Sequence, residues 1–286
     1  MNSINSFKWN GDAIEDAIQV GTDSVFLKGF VQKVMGLDVK ELYDALASKE
    51  MPYVDRAKTE MRYRGHMLTR TKFFLTDTPD PVRIYNYTGF QYASTQHYRC
   101  YADYPVVAEL LRTLNKTLTL PYGKHGLPQY NHVIGTMYLT DTDGIGYHSD
   151  KTKSWAEDSG VSILSLGSTR EFHLQKIQDQ HTQVFVCEAG DLFVLGPQDN
   201  ATHKHAIVPV REEKTLEKTR DISPRISLCF RNIAEAWTRT ELLKKISASS
   251  KAKDARDTRK VHLRTRKLAK KSFSLVLAEL LARLPF

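Results

Sequence analysis

Cysteine is scarce here: Cys100, Cys187 and Cys229 are the only three in 286 residues, widely spaced and odd in number. Disulfide scaffolds and cysteine-based zinc sites need close, paired cysteines, so neither is expected. A reducing, intracellular setting, nucleus or cytoplasm, fits best. Long apolar runs are missing too. No stretch approaches the ~20 residues that a membrane-crossing helix requires, and Met1-Asn2-Ser3-Ile4-Asn5 lacks the basic-then-apolar pattern of a secretory signal. There is no internal repeat, which removes solenoids and propellers. What remains is 41% hydrophobic and 26% charged residues, enough apolar material for one large or two small soluble domains with a real core.

The net charge of +8 is unevenly held. Residues 239–286 contain 14 Lys and Arg against 4 Asp and Glu, which leaves 27 basic and 29 acidic residues in 1–238. The globular part is therefore close to neutral, and the basicity belongs to a tail. Ser247-Ala248-Ser249-Ser250 is a hinge candidate, and Phe273 to Phe286 reads as a short amphipathic helix. Such a tail is a solvated arm, a phosphate-binding arm or a nuclear-import signal.

Two helices are expected, over 37–48 and 105–117; in the second, Val106, Val107, Leu110, Leu111 and Leu114 fall at helical spacing behind Pro105. From Val133 onward the pattern changes to short strands: 133–139, 161–166, 171–175, 183–187, 192–195 and 225–230. Asp143-Gly144, Gly167-Ser168, Ala189-Gly190 and Gly196-Pro197 punctuate them. Residues 211–221 read as an exposed loop. This order implies an α+β protein, a β-sandwich or open barrel with helices on one side.

The run Arg225-Ile226-Ser227-Leu228-Cys229-Phe230-Arg231 carries the chemistry. In a strand, Ile226, Leu228 and Phe230 share one face, and Arg225, Ser227, Cys229 and Arg231 the other. If the apolar face packs into a core, the arginines point into a cavity, where a guanidinium needs an anion. Upstream, His148 and Asp150 project from the same side of an extended segment. With a later histidine they can form a two-histidine, one-carboxylate triad that leaves positions open on Fe(II). Thr202-His203-Lys204-His205-Ala206 supplies two candidates, and His205 is preferred because it abuts the buried-strand pattern Ala206-Ile207-Val208-Pro209, with His203 beside it in a supporting position.

His148 and Asp150, then His205, then Arg225 and Arg231 stand in the order of the AlkB-like Fe(II)/2-oxoglutarate-dependent dioxygenases, which this sequence resembles from about Phe26 to Asn232. Ser162 to Gly167, Gly190 to Val194 and His205 to Pro209 add to the likeness, and Arg70 with Tyr85-Asn86-Tyr87-Thr88-Gly89 resembles the substrate lid of members acting on nucleic acid. The resemblance implies a double-stranded β-helix (jelly roll) with N-terminal helices packed on one sheet. Its domains would be an N-terminal segment 1–25, a dioxygenase domain 26–236 and the basic tail 237–286. It implies Fe(II) on His148, Asp150 and His205, with O2 as cosubstrate. The far carboxylate of 2-oxoglutarate would lie on Arg225, Arg231 would orient Asp150, and Tyr138, Thr136 and Ser227 would line the cosubstrate. Thr136 and Ser227 stand where many members carry Asn, and Thr152 where base-repairing members carry an acidic residue. Tyr85, Tyr87, Thr152, Trp155 and Arg70 are the candidate substrate contacts, with Lys151 flanking the iron motif.

The expected activity is oxidative demethylation of alkylated bases in DNA or RNA by a monomer, with the tail on the phosphate backbone. Two other classes compete: the same chemistry on a protein side chain or small molecule, and a non-catalytic nucleic-acid-binding module.

Overall fold

The computed structural model describes residues 7–54, 62–63, 66–67, 70–78, 80–85, 97–122, 129–209, 224–238, 240–242 and 244. The chain divides into two compact units, Met1–Thr238 and Arg239–Phe286. The loop expected over 211–221, Tyr87, the hinge candidate and the amphipathic helix all lie outside the described residues. No described helix is long and apolar enough to cross a membrane.

The two largest sheets and the two longest helices account for most of the described residues of the first unit. The strands of the large sheet are β1 (Ala17–Val20), β2 (Ser24–Leu27), β3 (Thr71–Thr76), β4 (Tyr98–Cys100), β5 (His132–Tyr138), β7 (Val161–Gly167), β10 (Leu192–Leu195) and β12 (Arg225–Arg231). The small sheet holds β6 (Ile145–His148), β8 (Arg170–Lys176), β9 (Thr182–Cys187) and β11 (His203–Ile207). In space the large sheet runs β1-β2-β10-β7-β12-β5-β3-β4, and the small one β6-β11-β8-β9. All pairings are antiparallel except that of β3 with β4. The chain passes from β7 to β8, from large sheet to small, at Gly167. Its φ of +78° and the Pro224 carbonyl oxygen 2.2 Å from where a Cβ would stand leave room only for glycine.

Helices cover one face of the large sheet. Asp38 caps α1 (Val39–Ala47) by accepting from the Glu41 amide at 2.8 Å. In α2 (Pro105–Thr117), Pro105 occupies the first turn, and Val107, Leu110, Leu111 and Leu114 form the buried stripe. That stripe and Leu42 and Leu46 of α1 share one core with Leu164, Leu166, Ile226, Leu228 and Phe230. The small sheet lies across the opposite face, where Phe26 and Phe193 meet Phe172 and Phe185 with ring centroids 4.4–5.5 Å apart.

The sheet-rich α+β class is as expected, and the second helix spans the residues expected of it. Strands 192–195 and 225–230 fall where alternation and apolar runs placed them, with Arg231 added to β12. The separate segment 1–25 is not: β1 and β2 form a hairpin whose second strand pairs with β10, and Phe7 lies in the core. The hairpin escaped notice because Val25, Phe26 and Leu27 are buried on both faces and show no alternation.

Candidate metal centre and anion pocket

His148 ends β6 and faces His205 of β11 directly in register. Between this pair and that of Ile145 with Ile207, Gly146 and Tyr147 oppose Ala206 alone, a bulge immediately before His148. The imidazole centroids are 4.3 Å apart, and Phe172 stacks on His205 at 5.7 Å and 14°. Asp150 follows just beyond β6, its Oδ1 3.9 Å from His148 Nε2. One ligand atom from each of His148, Asp150 and His205 lies within 4.8 Å of the others. His148 Nδ1 donates to the Gly146 carbonyl at 2.8 Å, which leaves the Nε2 lone pair for a metal. His205 Nδ1 is buried with no partner among the described residues. His203 stands outside that group, its Nδ1 within hydrogen-bond distance of Thr202 Oγ1 and the Asp199 carbonyl.

Asp150 is held from every side. Arg231 donates from Nη2 (2.7 Å) and Nε (3.2 Å) to Oδ2, and Tyr85 donates its hydroxyl to Oδ1 at 2.9 Å. Asn200, from the short helix α3 (Pro197–Thr202), brackets the Asp150 backbone: Oδ1 accepts from its amide at 2.9 Å and Nδ2 donates to its carbonyl at 3.1 Å. Burial alone would raise the carboxyl pKa, but Arg231 and the two histidines outweigh it and hold Asp150 well below the usual carboxylate range. Burial pushes His205 down to about 3, with His148 adding to the effect, so both rings are neutral and able to ligate at neutral pH.

Arg225 is fully buried on the side of β12 that faces the small sheet, as alternation required. Ser165 Oγ accepts from its Nη2 at 2.9 Å, and the Tyr138 ring lies 5.0 Å away. Among the described residues, Nε and Nη1 have no partner, and neither does Nη1 of Arg231. A buried guanidinium with two empty donors is unfavourable unless an anion arrives, and a planar carboxylate matches its fork. Thr136 and Ser227 are cross-strand partners, buried between the two arginines on the same face.

The candidate substrate residues separate. Tyr85 is buried, its hydroxyl occupied by Asp150 and the Lys151 amide and its ring covered by the Arg231 guanidinium at 4.3 Å. It braces a metal ligand and offers no open face for stacking. Trp155 is buried behind it, 6.2 Å from the Tyr85 ring, instead of lining an entrance. Thr152 and Lys151 are exposed. Arg70 lies at the far end of the pocket, donating to the Gly144 carbonyl and standing 5.8 Å from the Tyr138 ring. The motifs did not reveal Ser165, Asn200 or His132. Strand alternation around Ser165 held the only signal for any of them.

A two-histidine, one-carboxylate triad together with a buried arginine whose Nε and Nη1 are unpartnered among the described residues is the arrangement of an oxygenase that binds a metal and a dicarboxylate together. Residues 34–231, more than half of the chain, match the 2OG-Fe(II) oxygenase superfamily. The protein belongs to that superfamily, as its AlkB-like motifs implied, and is a 2-oxoglutarate- and Fe(II)-dependent dioxygenase. Among solved structures it is similar to OsALKBH1, at 18% identity over 76% of this chain and 99% of that one, with a TM-score of 0.45. An oxidoreductase of the 2OG-Fe(II) oxygenase family from Burkholderia pseudomallei is 16% identical over 76% and 88% of the two chains, with a TM-score of 0.46. No curated protein matches the chain.

Proposed function

We propose that this dioxygenase removes alkyl groups from nucleobases of DNA or RNA within a double-stranded β-helix (jelly roll) formed by the two sheets. In this reading His148, Asp150 and His205 hold Fe(II). Arg225 grips the far carboxylate of 2-oxoglutarate, oriented by Ser165, while Tyr138, Thr136 and Ser227 line its length. Arg231 and Tyr85 keep Asp150 ionised and aimed. When bound, the metal and cosubstrate supply oxidative decarboxylation coupled to hydroxylation of a C–H bond, and an N-methyl group so hydroxylated leaves as formaldehyde.

The observation that carries the nucleobase reading is the anchoring of Tyr85 to Asp150. Tyr85, the first residue of the lid-like sequence pattern, thus lies at the metal centre. The basic tail adds sequence-independent affinity for phosphate. The test is formaldehyde release from methylated oligonucleotides given Fe(II), 2-oxoglutarate and O2. Release is expected, and turnover confined to other substrates would reject the reading.

Thr152 favours a second reading. It is exposed and carries no carboxylate to hold an exocyclic amine, which suits a protein side chain or small molecule as substrate. Under that reading, removing residues 239–286 leaves turnover unchanged. A non-catalytic module fits least well, because it would have no use for a complete triad and an unpaired buried arginine.

A further inference from the structure

The turn of the β1–β2 hairpin lies against the first turn of α3, although 175 residues separate Asp23 from Gln198 in the chain. Each side presents a buried aspartate to the backbone of the other. Asp23 accepts from the Gln198 amide at 2.8 Å and from the Asp199 amide at 3.0 Å, one to each carboxylate oxygen. In return, Asp199 accepts from the Thr22 amide at 2.9 and 3.0 Å and from the Asp23 amide at 3.0 Å. Glycine is needed on both sides for so close an approach. A Cβ on Gly21 would overlap the Asp199 carboxylate, and one on Gly196 the Asp23 carboxylate. The Gly196 amide donates to the Ser24 hydroxyl at 3.0 Å and closes the seam.

Two carboxylates buried together resist being charged. Burial, with the Asp199 charge adding to it, pushes Asp23 up to about 6 against the pull of its two amides. Such a pair is held because backbone donors from both sides converge on it. What the clasp fixes is the start of α3, and the next residue of that helix is Asn200. Asn200 brackets both backbone groups of Asp150. A chain of buried hydrogen bonds therefore runs from the hairpin turn through α3 to a metal ligand. Neither aspartate belongs to the ligand group itself.

We infer that Asp23 and Asp199 are positioning residues of the metal centre: their clasp sets the place of α3, and Asn200 passes that placement to Asp150. The N-terminal hairpin, which carries no ligand, is in this way part of a centre it lies outside. The effect is on geometry rather than charge. Arg231 keeps Asp150 ionised whatever the hairpin does. The Asp150 oxygens keep their distance from His148 and His205 only while α3 holds the backbone beneath them. The inference concerns the metal alone and holds whichever substrate the enzyme takes.

The test is Co(II) binding by the full chain without substrate, read both as affinity and as the ligand-field absorption of the bound ion. Asp23→Ala is expected to weaken binding about tenfold, the lower end of what loss of a group supporting a ligand costs, and to shift the absorption. Asp23→Asn keeps one acceptor oxygen and should recover part of the affinity. Leu46→Ala, in the core on the helical face of the large sheet, is the control for general loss of stability. It should lower the melting temperature and leave Co(II) affinity and absorption as they were. Because the clasp acts through Asn200, the two losses should not multiply. Asp23→Ala combined with Asn200→Ala is expected to bind Co(II) within about twofold of Asn200→Ala alone. An Asp23→Ala protein with unaltered affinity and absorption overturns the inference, as does a Leu46→Ala protein showing the same changes. A double variant in which the losses multiply overturns it too. If Asp23→Ala does not fold, Asp23→Asn, alone and with Asn200→Ala, decides by the same criteria.

Discussion

Asp150 accepts from Tyr85 and from both arms of the Arg231 fork, and both its backbone groups are bonded to Asn200. His205, by contrast, has one ring nitrogen buried and unpartnered. The two ligands should therefore fail differently. His205→Ala is expected to abolish metal binding with little loss of fold, whereas Asp150→Ala strands Arg231 in the interior and destabilises the protein as well. His203→Ala should weaken metal binding far less than His205→Ala, as read by Co(II) absorption. Arg225→Ala removes a paired, buried carboxylate contact worth ~3–5 kcal/mol, so the 2-oxoglutarate requirement should rise by two or more orders of magnitude. An unchanged requirement would move the cosubstrate elsewhere. The metal and cosubstrate residues could be read from the chain because alternation and spacing point them inward. The substrate residues could not. Whether Tyr85 stacks on a base or braces Asp150 depends on where its hydroxyl lands, and no pattern of neighbours encodes that.

Elements differ in how well they announce themselves. β12 has one face against helices and one against a polar cleft, so its residues alternate and its role is visible. β3 carries Phe73, Phe74 and Leu75 in sequence, buried on both faces, and shows no alternation. β6 is short and bulged, with only Ile145 and His148 in register, so nothing periodic marks it. The helix α3 is six residues long and too brief for a periodic signal, yet it fixes Asp150 through Asn200. Asn200→Ala leaves a buried amide and a buried carbonyl unsatisfied, a loss of about 2–4 kcal/mol. Metal affinity should drop along with stability, and Asn200→Asp should not restore it because a carboxylate cannot donate to the Asp150 carbonyl.

Across the whole molecule, protons and salt are the two levers. His132 is kept neutral by burial and then by Arg231, and His205 by burial and then by His148. A histidine whose pKa falls on folding contributes stability above its unfolded value near 6.5. That stability drains away as pH drops below 6.5, because the unfolded chain takes up the proton first. Each such ring should cost about 1.4 kcal/mol per pH unit below that point. Melting of the metal-free protein should therefore fall between pH 7 and pH 5, and His132→Gln, which can still bond to Tyr98, should flatten the slope. Salt reads the other end of the chain. Removing residues 239–286 is expected to lower oligonucleotide affinity and to shallow its dependence on salt, while cosubstrate consumption without substrate stays unchanged.

One strand lies under both the scaffold and the reaction. Flanked by β7 and β5 in the middle of the large sheet, β12 seals the helical core with three apolar residues and presents the two guanidiniums from its reverse. Its amides should be among the slowest in the protein to exchange with deuterium. Variants that blunt the arginines therefore sit on the most rigid ground available, where neighbours cannot shift to compensate.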